Sequence, residues 1–345
     1  MVLKGLCERI EQVAATRVQP PLQVECTVVA STFGPAGSGY VLVHVPASPL
    51  APHQVEGAYY GRGDKTKRRL SDPEVERLFA RRASWSLDVH GELQRFHRSR
   101  RSTETVTLQL YAVAHPVGGW PDMCRPIVGV PGWESNLREL RMRAAADVNV
   151  RAALKRLYGS TADPYLGRLQ NQERTPTGAR LTARSPGSDL ASSADFWNLD
   201  LDLDESGTAR LFSGKVGEPN RSFNGIIFAG LYIDMVAAMV RELLTYVRLI
   251  SEETGHLAGW DVGVALTNLE GARAISNSQT ARSTTLGMLG NGYEAAEYLG
   301  TARASSRELN AAPAMVAERL VGLLARSLDA ESHLEPLLRL QPDGG

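Results

Sequence analysis

The sequence predicts an α+β fold, and three observations predict it. Apolar and polar residues alternate in "YVLVHVP" and in "FWNLDLDLDESGTARLFSG", the period of half-buried strands. Leu3, Leu6, Ile10 and Val13 recur at helical spacing, as do Ile227, Leu231, Met235 and Ala238. Gly, Pro and Ser collect between the strand-like runs, as in "STFGPAGSG", where a hairpin needs a loop.

In order, a helix over the first residues stops at Pro20-Pro21, and "LQVECTVVA" and "YVLVHVP" follow as two strands. The Pro-punctuated crossing "SPLAPHQVEG" leads to a short third strand, "AYY". A helix opens at Ser71-Asp72-Pro73. Ser71 with Glu74 has capping-box spacing, and Asp72 as cap would put Pro73 at the first helical position; both remain open. "DVHGELQRFHRSRR" reads as a basic helix and "TVTLQLYAVAH" as a strand. "GGWPDMCRPIVGVPGW" reads as a loop and Glu134 to Leu157 as a helix weakened at Val148 and Asn149.

Residues 159–194, polar and rich in Ser, Thr, Pro and Gly, read as a linker or loop. The hairpin that follows puts Leu199, Leu201 and Leu203 on one face and Asp200, Asp202 and Asp204 on a face expected to be solvated. Gly225 to Ile250 reads as one core helix, since Asp234, Arg241 and Glu242 interrupt it too often for a membrane span. "WDVGVALTN" is a strand, and a helical region with Pro313 near one start runs to about Leu328. The expected organisation is therefore a module over 1–84, an α+β continuation over 85–158, the linker, and an α+β domain over 195–345.

The chain has 38 cationic and 38 anionic side chains, so affinity for a polyanion has to come from local clustering. From Arg62 to Arg101 twelve Lys or Arg stand against six Asp or Glu. Lysine is scarce, as in GC-rich genomes, yet Lys65 and Lys67 both fall in this stretch. Cys7, Cys26 and Cys124 are widely spaced, with no C-x-x-C pair, which points away from a disulfide framework or zinc knuckle and toward a reducing compartment. No apolar signal segment is read at the N-terminus, so the expectation is a soluble, cytoplasmic protein without membrane association.

Within Glu56 to Phe79, Gly61-Arg62-Gly63-Asp64 reads as a tight turn in which glycine lets the backbone approach a ligand. Lys65, Lys67, Arg68 and Arg69 follow it beside a helix start, a setting that suits phosphates. Tyr59 and Tyr60 point to opposite faces of a regular strand, one inward and one near the cations, where it is placed to stack on a base.

The ordered set of elements resembles the later part of the Schlafen AlbA_2 module. Val45-Pro46 with Ser48, Pro52-His53, Tyr59-Tyr60 with Arg62 and Gly63, Lys65-Thr66, and Ser71 with Glu74 and Leu78 stand where that family has its V-P-x-S, Pro-His, YY-x-R-x-G, basic-turn and S-x-x-E-x-x-x-L elements. "VAATRVQPPLQVECTVV" looks like the preceding helix and strand, so the resemblance covers roughly residues 8 to 82. The family's acidic E-x-K-like motif and Gly-rich turn lie earlier than this chain begins, and none of its catalytic carboxylates maps onto a residue here. The resemblance implies binding of DNA or RNA through Arg62, Lys65, Lys67, Arg68, Arg69 and Tyr60, with His53 as a further contact and Gly61 and Gly63 shaping the backbone. No cofactor is expected on this reading. A Schlafen-type nuclease, which would need a divalent metal, and a nucleotide-binding or hydrolysing protein are the enzymatic alternatives. A protein-interaction scaffold acting through the C-terminal domain, or self-association there, is the third. The binding reading requires the cations to stay clear of ion pairs and the strands before them to share one sheet.

Elsewhere the motifs are weak. "LDLDLDESG" spaces its carboxylates too widely for a compact metal site. "GMLGNG", Gly287 to Gly292, lacks the Lys-Ser/Thr of a phosphate loop and precedes a helix-like stretch. His90 and His97 read as a surface coincidence, and Asp234 and Glu242 as capping residues or ion-pair partners of Arg241 and Arg248.

Overall fold

A computed structural model describes residues 3–22, 24–31, 38–45, 51–62, 66–85, 89–100, 107–148, 150–152, 155, 165–183, 198–223, 225–275, 292–332 and 334. The chain divides into two compact units, Met1–Ser86 and Leu87–Gly345. Both are mixed α and β.

In the first unit, helix α1 (Leu3–Thr16) packs on the hairpin of β2 (Glu25–Ala30) and β3 (Gly39–His44). A separate four-stranded sheet runs β1 (Val18–Gln19), β4 (Gln54–Val55), β5 (Ala58–Arg62) and β6 (Lys67–Arg69). The expected common sheet is therefore corrected: among the described residues β2 and β3 pair only with each other, and the Pro-rich crossing itself supplies the strand that joins β5 to β1. The cations from Lys67 to Arg69 do not sit on a turn. They form a strand paired antiparallel to β5. Helix α2 (Asp72–Trp85) starts one residue after Ser71, so Ser71 holds the cap position and Pro73 falls second. The Ser71 N–H and hydroxyl both donate to Glu74 Oε2, each at 2.9 Å.

The second unit is built on a seven-stranded antiparallel sheet. Its strands are β7 (Gln109–Pro116), β8 (Asn171–Thr175), β9 (Gly178–Thr182), β10 (Leu199–Asp204), β11 (Ala209–Ser213), β14 (Trp260–Thr267) and β16 (Glu297–Ala304). They lie in the order β16-β14-β7-β11-β10-β9-β8. β12 (Gly217–Phe223), β13 (Ile226–Tyr232) and β15 (Arg273–Ile275) make a small second sheet. One large apolar core joins the main sheet to α5 (Trp133–Ala145), α6 (Ile233–Thr254) and α8 (Pro313–Ser327). α4 (Arg125–Val128) and α7 (Ser306–Ala311) are short, the latter closed by a Ser305/Glu308 capping box. The opposite face of the sheet carries α3 (Val89–Arg100), whose Val89, Leu93 and Phe96 pack on Tyr111, Val113 and Phe212. Gly263 makes this approach close, since a Cβ there would stand 2.4 Å from Val89 Cγ1 and 2.7 Å from Leu93 Cδ1.

Four expectations change here. Residues 171–182 are no linker: β8 and β9 extend the main sheet, while residues 156–164 and 184–197 lie outside the description. The Gly225–Ile250 helix begins only at Ile233. Its first part is strand β13, because an Ile-, Phe- and Gly-containing run satisfies either period until tertiary pairing decides. α5 stops at Ala145, and Asp147 caps a new turn by accepting from the Val150 N–H at 2.9 Å. "GMLGNG" is followed by strand β16 and not by a helix; its residues 287–291 lie outside the description. No helix among the described residues is long and apolar enough to cross a membrane.

Candidate nucleic-acid interface

The ladder between β5 and β6 pairs Tyr60 with Arg69, Gly61 with Arg68 and Arg62 with Lys67. Directly opposed residues share a face, and so do residues two apart on one strand. Tyr60, Arg62, Lys67 and Arg69 therefore line one face of the hairpin, while Gly61 and Arg68 lie on the other.

On the first face all four side chains are exposed, Tyr60 by 43 %. The Lys67 ammonium sits over the Tyr60 ring, 4.0 Å from its centroid. Arg62 and Arg69 make no ion pair among the described residues. Arg62 and Lys67 stand directly across from each other, an arrangement of like charges that destabilises a bare hairpin.

The second face is structural. Arg68 is ion-paired with Glu74, donating to Oε2 at 2.8 Å and also to Oε1. That hydrogen bond, with those from Ser71, holds the Glu74 carboxyl well below the usual carboxylate range. Arg68 thus ties β6 to the start of α2. Gly61 is extended, with no positive φ, so its role is also corrected. It leaves room for Leu70, whose Cδ2 would lie 2.6 Å from a Cβ at this position. Tyr59 turns inward and meets Phe79 edge to face, the ring centroids 6.0 Å apart.

His53 is likewise drawn into the scaffold, its Nδ1 2.7 Å from the Pro20 carbonyl oxygen. Gly63, Asp64 and Lys65 of the expected site lie outside the described residues, as do Pro46 and Ser48.

The cationic excess from Arg62 to Arg101 is divided between the two units. Its later members belong to the second unit, where Arg95 pairs with Glu92 and Arg100 with Asp200 and Asp202. The aspartate face of β10 is accordingly buried instead of solvated. Arg180 reaches Asp202 at 2.6 Å, and Arg210 bridges Asp204 and Glu92, each at 2.7 Å. No single-sequence signal links Arg100 to carboxylates a hundred residues away. Four carboxylates against four guanidinium groups neutralise each other, and among the described residues no cluster of His, Cys, Asp or Glu is arranged to hold a metal. His90 lies within 2.8 Å of Gln94 Nε2, and His97 packs on Tyr111.

No protein-family model, curated protein or solved structure matches this chain.

Proposed function

We propose that the β5–β6 hairpin is a nucleic-acid-binding surface, with Arg62, Lys67 and Arg69 on the phosphate backbone and Tyr60 beside them as a stacking platform. The observation that carries this reading is the segregation of the hairpin. Its exposed face gathers three like charges, which folding stability alone disfavours, around an aromatic ring that one of them, Lys67, covers, while the cation that is ion-paired among the described residues of the hairpin, Arg68, is on the other face. The resemblance of residues 8 to 82 to the later part of the Schlafen AlbA_2 module points to the same ligand class, DNA or RNA. Both conditions set for the broader reading fail, since Arg68 is ion-paired and β2 and β3 form a sheet apart from β1, β4, β5 and β6; the AlbA_2-like arrangement is therefore given up as a ground, and the proposal is the narrower one that rests on the exposed face of the β5–β6 hairpin.

Three phosphate contacts give a log–log salt slope of roughly −3 on duplex and roughly −2 on single strands. In fluorescence-anisotropy titrations of the full chain, the combined Arg62→Ala, Lys67→Ala and Arg69→Ala variant is expected to bring that slope close to zero. Arg68→Ala, which disturbs the scaffold, is expected to leave it near the wild-type value. An unchanged slope in the triple variant would overturn the assignment. Tyr60→Ala is expected to weaken single-strand binding about tenfold, since a stacked base contributes ~1–3 kcal/mol, and to leave duplex binding nearly unaltered. Equal losses on both substrates would remove the stacking role.

A further inference from the structure

Among its described residues the first unit shows a thin core. Its buried residues among those described are Cys7, Ala14, Pro52 and Ala58, none of them large. Two of the four belong to the face of α1 that packs on the β2–β3 hairpin, and Cys7 is one of these. Across from it, Cys26 is the one residue of β2 that is not exposed. The Cys7 side chain lies near enough to that of Cys26 to act on it electrostatically. Sequence spacing concealed this pair, which nineteen positions and a change of secondary structure separate.

We propose that Cys7 and Cys26 are a redox couple whose disulfide pins α1 to the β2–β3 hairpin. Both are free thiols in the structure, the reduced form of the couple. The oxidant is a small disulfide of the glutathione class. The Cys26 thiolate attacks one sulfur of the oxidant, forming a mixed disulfide and expelling one glutathione thiolate. The Cys7 thiolate then attacks Cys26 Sγ, closing the protein disulfide and expelling the second. The two protons lost by the protein are taken up by the two departing thiolates, and the oxidant gains two electrons. Partial burial, with Cys7 and Glu11 nearby, raises the Cys26 thiol above its usual range. Such a thiol attacks slowly and leaves poorly, so the bond forms under sustained oxidation and then resists reduction. Closing a loop of about 20 residues restricts the unfolded chain most effectively in a unit with little core.

The test is equilibration of the reduced full-length protein with graded ratios of reduced and oxidised glutathione, followed by intact-mass measurement and alkylation. The expected result is loss of two hydrogens without retained glutathione, and a fall from three alkylatable cysteines to one in the denatured protein, Cys124 being the one that stays. Amide exchange in α1 and β2 is expected to slow at least tenfold on oxidation. Cys7→Ala is expected to trap one glutathione on Cys26, and Cys26→Ser to abolish the two-hydrogen loss. A wild-type protein that stops at the mixed disulfide overturns the proposal. So does one that keeps all three thiols under excess oxidant, or an oxidised form that exchanges as fast as the reduced one. Should Cys26→Ser fail to fold, Cys7→Ala decides alone: continued loss of two hydrogens in that variant means a different pairing.

Discussion

Replacing Arg100 by alanine is expected to destabilise the second unit by about 3–5 kcal/mol, read from urea unfolding at neutral pH. The guanidinium is 8 % exposed and lies between Asp200, which is fully buried, and Asp202, with Nη2 at 3.2 Å from the latter. It also covers the rings of Phe96 and Phe212, at 5.8 and 5.5 Å from their centroids, so it closes the seam between α3 and the sheet. Deleting it leaves buried carboxylates short of charge compensation and opens apolar surface at once. The cost of breaking the pair differs from its net worth, because both ions were desolvated to make it. An Arg100→Met, Asp200→Leu double variant is therefore expected to recover most of the loss, and Arg100→Lys, which lacks a planar fork for two carboxylates, only part of it. A loss below about 1 kcal/mol in Arg100→Ala would mean that water reaches Asp200 freely and that α3 is held by its apolar contacts alone.

Much of this arrangement was hidden from single-sequence reasoning for one physical reason. Alternation shows that two faces of a strand differ, but not what lies against the second face. The leucines of β10 point into the main core, as their period implies. Its aspartates looked solvated because their partners arrive from α3, β9 and β11. The same limit explains Gly225 to Tyr232, where "IIFAGLY" fits a strand or a buried helix until its partners β12 and β15 are known. Local chemistry was more legible. The Ser71-Asp72-Pro73 run marked the start of α2 while leaving its cap open between Ser71 and Asp72, and the expected opposition of Tyr59 and Tyr60 is found, one against Phe79 and the other under Lys67. Reading the basic run as a strand, not a turn, is what then sorts its cations by face and sets Arg68, paired with Glu74, apart from Lys67 and Arg69.

Raising the pH from 4.5 to 8 is expected to remove about 4–5 kcal/mol of the second unit's stability through Glu242 alone. This side chain is wholly buried on α6, and its two oxygens accept from the Tyr165 and Leu166 N–H groups at 3.0 and 2.7 Å. Burial pushes its carboxyl up to about 8 from an ordinary value of 4.5, outweighing those two donors, which favour the charged form. Between the two values the native chain holds one proton that the unfolded chain has released. Stability from this group is thus complete below pH 4.5 and falls as the pH rises toward 8, by about 1.4 kcal/mol per unit. His115 and His256 are shifted the other way, lowered by burial, so below pH 6.5 they make stability rise with pH and mask part of the decline. The informative quantity is consequently the difference between wild type and Glu242→Gln, whose neutral amide keeps an acceptor for the Tyr165–Leu166 turn. At pH 5 the two proteins are expected to unfold at similar urea concentrations, and at pH 8 the variant is expected to be the more stable. Parallel pH profiles would show that Glu242 stays ionised throughout, held by the backbone donors more strongly than burial opposes them.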